Sequence, residues 1–327
     1  MLRRLLVICL LGLTLIGNLQ AVELLPGSRD VEVKMVLLDV NEVDSVRQSF
    51  IANLVVVMRW HDPSLAHDGP NPISRHMADI WYPSLQMLNQ QRVVETFPRV
   101  VEISPDGNVI YRQRYWGSFF QPLELDSFPF DKQRLTVTLA SVGLDLRSVR
   151  LVPAEASGIS PHLSIPDWDV TGWDFVNSNL SMEDEGFQIK SMVFSLDVKR
   201  DTNYFKWKVI LPLVLIVLMS MMVFWIDPSL VASQISVSVT AMLTMIAYRF
   251  ALAGFIPKLP FLTTLDLFIL VSTIAVFMSM MEVLLTAHLA TTNQLEKARM
   301  IDRHARWIMP LIYAVLATDT LYFRVLF

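Results

Sequence analysis

The 327-residue sequence predicts an extracellular all-β sandwich joined to a four-helix transmembrane bundle, and three observations carry that prediction. Hydrophobic residues make up 53% of the chain and charged residues only 18%, against about 45–50% and about 25% in ordinary soluble domains. The apolar excess is confined to the C-terminal part, where uncharged stretches cover 209–225, 229–248 and 267–281. Ahead of it, residues 22–203 alternate apolar and polar side chains in short runs between turn formers, which is the period of strands.

Taken in order, residues 1–21 read as a secretory signal. Arg3 and Arg4 are its basic start, Leu5 to Ile16 its apolar stretch, and Ala21 the small residue at its end. A mature start near Val22 places the β-rich part outside the cytoplasm. Strands are expected at 31–40, 50–60, 100–103, 109–115, 134–139 and 192–198. Ser104-Pro105-Asp106-Gly107-Asn108, between two of them, has the composition of a hairpin turn. Strands at this spacing, with no long helical period, favour an immunoglobulin-like sandwich of about ten strands over 22–203.

Residues 204–327 form the membrane part. A span needs roughly 20 mostly apolar residues, so helices are expected at about 205–226, 229–252, 262–289 and 305–327. The last carries Asp319 and Arg324 and is the least apolar. Lys297, Arg299, Arg303 and Arg306 mark the loop before it as cytoplasmic. An odd number of crossings back from that loop puts the β-domain outside, in agreement with the signal segment.

Charge and composition exclude other classes. Residues 22–203 hold 16 basic and 25 acidic side chains, whereas a nucleic-acid binder shows a basic stripe. The only cysteine is Cys9 and the six histidines are scattered, so no disulfide, metal site or cofactor is expected. No phosphate-binding glycine loop or nucleophile elbow appears, and the sequence does not read as an enzyme.

The second apolar run is the informative one. Positions 236, 240, 243, 247, 250 and 254 fall within about 40° of one line on a helix. That line reads Ser236, Thr240, Leu243, Ala247, Phe250 and Gly254, hydroxylated below and apolar above. A water-lined pore uses such a stripe, and a ring of bulky apolar side chains can close it by dewetting. Ordinary helix packing also places Ser and Thr at helix contacts. A pore built from one helix per chain requires an oligomer with closed cyclic symmetry.

Several strings resemble one family. Ser127-Phe128-Pro129-Phe130-Asp131 is similar to the signature loop of the pentameric ligand-gated ion channels, the Cys-loop receptor superfamily. Trp60-His61-Asp62 and Trp81-Tyr82-Pro83 resemble its WxD and WxP motifs. Arg200 resembles its arginine before the first transmembrane helix, Leu211-Pro212 that helix's proline, and Phe255-Ile256-Pro257-Lys258-Leu259-Pro260 its linker between helices two and three. The likeness is to the bacterial branch, since the two loop cysteines are absent and the segment between helices three and four is short.

The resemblance implies a homopentamer in a bacterial cell (inner) membrane, with the sandwiches on the periplasmic side, in contact with lipid and permeant ions. It implies a pore lined by Ser236, Thr240, Leu243, Ala247 and Phe250, with Leu243 as the gate. It also implies a coupling plane holding Asp131, Arg200, Phe128, Pro129, the turn over 39–45 with Glu42 and Asp44, Pro257 and Lys258. The family's basic and acidic selectivity residues are both missing at 232–234. The acidic β-domain then points to cations, because a vestibule of one sign concentrates counter-ions. The resemblance further implies agonist sites between neighbouring sandwiches, with Trp81, Tyr111, Arg112 and Phe187 as candidates. A full aromatic cage for an amine is lacking, which leaves a proton or a small molecule as agonist. The competing readings are an anion-selective channel of the same family and a non-conducting periplasmic solute sensor. A transporter fits less well, as no intramembrane charge pair is visible and Glu282 and Asp319 lie near span ends.

Overall fold

The computed structural model describes residues 29–142, 149–182, 187–254 and 259–323. The signal segment 1–21 and the linker residues Pro257 and Lys258 lie outside the described residues. Twelve strands are formed among those described. In the larger sheet the order is β10-β1-β2-β7-β6-β3, with β5 on β7 and β9 on β1; the smaller runs β11-β12-β8-β4. Each stretch expected from alternation is a strand: β1 (Arg29–Asp44), β2 (Ser49–His61), β6 (Val100–Ile103), β7 (Asn108–Phe120), β8 (Lys132–Ser141) and β12 (Phe187–Arg200). The others are β3 (Ile73–His76), β4 (Leu85–Met87), β5 (Gln90–Glu95), β9 (Val149–Pro153), β10 (Gly158–Ile159) and β11 (Trp168–Met182).

Alternation decides which face is inside. Val31, Val33 and Met35 of β1 are fully buried and the residues between them are not. Leu54 of β2, Phe119 of β7 and Leu196 of β12 belong to the same core, which lies between the sheets. Fully burying a side chain of this size is worth about 1.5–3 kcal/mol. The 104–108 turn forms as expected, with Gly107 at φ +84°.

Four helices come after the sandwich: α1 (Asn203–Trp225), α2 (Val231–Leu252), α3 (Thr264–Thr291) and α4 (Leu295–Thr318). The first three are long and apolar enough to cross a membrane. The fourth starts ahead of its apolar run, so Lys297, Arg299, Arg303 and Arg306 are helical rather than in a loop. Ala298, Asp302 and Ala305 repeat at helical spacing on its buried side, which holds these turns against the bundle.

Small polar groups join the helices, as in other membrane bundles. Ser279 Oγ of α3 donates to the Ser220 carbonyl of α1 at 2.7 Å, and Ser272 Oγ lies 3.1 Å from Tyr313 Oη of α4. Pro212 has no N–H, so the Lys208 carbonyl loses its helical partner. A wider turn spans Lys206–Ile210 there. Tyr248 Oη of α2 donates into it, 3.3 Å from the Lys208 carbonyl and 2.9 Å from that of Val209.

Candidate coupling junction and pore helix

The β-domain meets the bundle through the loop between β7 and β8. Its Phe128–Pro129 bond is cis. The Gln133 side chain bridges the neck of this loop: it donates Nε2 to the Glu124 carbonyl at 2.7 Å and accepts the Glu124 N–H through Oε1 at 3.1 Å. Inside it, Phe128 N–H donates to Leu125 and Phe130 N–H to Ser127. The tip then reaches α3. Thr264 N–H donates to the Asp126 carbonyl at 3.0 Å and Leu265 N–H to the Phe128 carbonyl at 3.1 Å. The first N–H groups of a helix have no partner within it; here the loop supplies two. Thr263 and Asp266 complete the start as a capping box.

Beneath the loop lies the Asp131–Arg200 pair. Arg200 Nε donates to Oδ1 at 2.7 Å and Nη2 to Oδ2 at 3.0 Å, with 8% and 1% of the two side chains exposed. Gln133 Nε2 adds a bond to Asp131 Oδ2 at 2.7 Å. The guanidinium stacks over Trp168 at 4.1 Å and Phe128 at 4.9 Å, and Phe128 meets Phe205 of α1 edge-on at 5.1 Å. A bidentate fork of this kind fixes orientation as well as contributing energy. It touches the β1–β2 turn through Ser45 Oγ, 3.0 Å from Nη2.

Of the expected coupling residues, the structure thus gathers Asp131, Arg200, Phe128 and Pro129. Glu42 stands apart from this cluster, exposed on β1 beside a cavity that it lines with Asp44, Arg47 and Trp116. β1 runs through the turn expected over 39–45 as far as Asp44, and Ser45 at its end is the residue that meets Arg200. Trp168, Gln133 and Phe205 were not among the expected residues; the register pairing of Trp168 with Arg200 across β11 and β12 is what brings the indole there.

On α2 the stripe faces away from the chain's own bundle. Ser236, Thr240, Leu243, Ala247 and Phe250 are all outside the buried set, Leu243 exposed by 62% and Phe250 by 78%. Gln234, Ser238, Ala241 and Met245, on the other side, are buried. Thr240 Oγ1 donates back to the Ser236 carbonyl at 2.8 Å.

The agonist candidates are not brought together. Trp81 packs edge-on against Trp60 at 6.3 Å beneath the Arg29 guanidinium. Tyr111 is in the core, its Oη accepting from Gln113, and burial pushes its phenol up. Arg112, next along β7 and so on the opposite face, is paired with Glu102 at 2.7 Å. Phe187 opens β12, opposite Met182. One expectation about the membrane region is amended: Glu282 lies toward a span end as expected, but it faces a second acidic residue, Asp302 of α4.

Comparison with known proteins agrees with this architecture. The family model described as the neurotransmitter-gated ion-channel ligand binding domain matches residues 23–202, and that of the corresponding transmembrane region matches 209–297. A proton-gated ion channel of Gloeobacter violaceus is 25% identical over 293 residues, covering 86% of this chain and 80% of that protein. A gamma-aminobutyric acid receptor subunit beta of Caenorhabditis elegans is 23% identical over 261 residues, covering 76% of this chain and 47% of that one. A sandwich that caps its own membrane helix through the signature loop, and family models that together cover most of the sequence, lead to one conclusion: the chain belongs to the neurotransmitter-gated ion-channel family, as an integral membrane protein with its β-domain outside.

Proposed function

We propose that the protein is a homopentameric, cation-selective channel of a bacterial inner membrane, with α2 lining the pore. The exposed face of α2 carries this reading. A single chain leaves Leu243 and Phe250 uncovered while burying Gln234 and Met245, and a helix that turns a hydroxylated-to-apolar stripe outward needs water and its own copies on that side. The surplus of acidic over basic side chains in 22–203 supports cations. Residues 22–203 act as the sensing domain and 204–327 as the conducting one.

The agonist that best fits is a proton. Trp81, Tyr111 and Arg112 are each committed to a neighbour within the chain and form no common cage, and one relative is named as proton-gated. In this reading the sandwich moves as a unit and the Asp131–Arg200 fork and the Asp126 and Phe128 carbonyls hand the motion to α1 and α3.

Planar-bilayer recording from the purified full chain tests this. Cation-selective current that rises as the periplasmic side is acidified is expected; silence across pH and ion gradients, or a reversal potential set by anions, overturns it.

A further inference from the structure

At the cytoplasmic end of the bundle, polar side chains of α2, α3 and α4 meet in a cluster apart from the coupling junction. Glu282 of α3 and Asp302 of α4 lie within hydrogen-bonding reach of one another. Gln234, in the first turns of α2 and fully buried, donates Nε2 to Asp302 Oδ2 at 3.1 Å and to the Ile226 carbonyl at 2.9 Å. Asp302 itself is 2% exposed. Among the described residues, no N–H or O–H reaches either oxygen of Glu282, Asp302 Oδ1 or Gln234 Oε1.

The surrounding charges do not supply one. The end of α1 offers only carbonyls, and Arg306 of α4 is turned to that of Phe224, with Nη2 at 3.0 Å. Asp227, in the α1–α2 loop, is bound by Ser229 and Arg299. From α2 come Gln234 and, one turn on, the buried Ser238; neither titrates. His304 of α4 shares with Glu282 the lining of a methionine-rich groove of about 660 Å³ between α3 and α4, its Nδ1 on the Met300 carbonyl.

Two facing carboxyl groups bond to each other only if one is an acid, and two buried carboxylates without a bridging cation repel. We propose that Glu282 and Asp302 are a proton-binding site, holding one proton between them, that reads cytoplasmic pH and is tied to the pore helix through Gln234. Only the O–H bond forms or breaks, and the proton is exchanged with water on the cytoplasmic side. When it leaves, the carboxylates separate and Gln234 loses its hold on α4. The link to gating rests on the pore reading above; the chemistry of the pair does not.

Infrared difference spectra of the reconstituted full chain, taken while the pH is stepped, test the site without current. The expected result is the carbonyl band of a protonated carboxyl group that disappears on alkalinisation, is lost in Glu282→Gln and in Asp302→Asn, and persists in His304→Gln. No such band, its survival in both carboxyl variants, or its removal by sodium but not by choline at constant pH would overturn the proposal, the last by making the site one for a metal cation. Current adds a second reading: activation should shift with cytoplasmic pH in the parent chain and lose that shift in Glu282→Gln, whose amide keeps the bond to Asp302. An unaltered shift in that variant counts against the site.

Discussion

Asp131 accepts three hydrogen bonds from Arg200, two through its carboxylate and one through its backbone carbonyl, which takes the Arg200 N–H at 3.2 Å. The end of the signature loop and the end of β12 are therefore locked in both main chain and side chain just before the chain enters α1.

Removing one partner of a buried pair leaves the other charge uncompensated, at about 3–5 kcal/mol. Arg200→Ala and Asp131→Ala should each abolish activation or prevent assembly. Arg200→Lys keeps the charge but loses the fork and the stacking on Trp168, and should activate only at higher stimulus. Size-exclusion profiles and activation curves of the three variants check this; parent-like behaviour of both alanine variants counts against the junction.

Gly117 is enclosed by the edge of the sheet. A Cβ there would come within 2.0 Å of the Arg92 carbonyl oxygen and 2.6 Å of Val93 Cα, both main chain. Gly117→Ala should push β5 off β7 at a cost of about 1–3 kcal/mol, read as a lower thermal midpoint and faster hydrogen exchange confined to 90–95.

Leu243→Ser should conduct at lower stimulus or spontaneously. The two residues differ by only a few tenths of a kcal/mol in helix propensity, while the apolar ring that dewets the pore is lost. Cysteines at 236, 240, 243 and 247 should react with water-soluble thiol reagents in the open state, and one at the buried position 245 should not. Labelling that is uniform around the helix removes this face from the pore.

Asp62 offers a test in acid. The Ser64 hydroxyl, donating at 2.6 Å, is the main reason its carboxyl lies below the usual range; the Ser64 N–H and Arg29 add to it, against burial. Because the folded-state value is depressed, the stabilisation is present above the ordinary carboxylate range and is lost as pH falls through the folded value. Ser64→Ala should therefore move acid unfolding, followed by tryptophan fluorescence, to higher pH.

Where one face of a strand is buried, alternation betrays it, which is why β1, β2, β7 and β12 are legible in the order of residues alone. The 15-residue β11 is not: Gly172, Asn177 and Asn179 interrupt it, and as an edge strand it pairs on one side only. The stripe on α2 is legible because 3.6-residue spacing alone places it. Gln133 reads as one more polar residue in a strand, and its burial comes from the loop folding over it. Glu282 and Asp302 are 20 positions apart on different helices, so only tertiary packing reveals them as neighbours. Of the turn expected over 39–45 only Ser45 meets Arg200, because β1 continues to Asp44 and carries Glu42 away on the strand.

The amide of Gln133 closes the loop that relatives with the paired cysteines tie covalently. A covalent tie acts on the unfolded chain as well, worth on the order of 3 kcal/mol for a short ring in the chain-entropy account. A hydrogen-bonded clip exists only once the loop has docked, so it lends nothing to the unfolded ensemble and asks nothing of it. The chain needs no oxidising enzyme and no thiol exchange to reach its final form, and a reductant has nothing at this junction to cut.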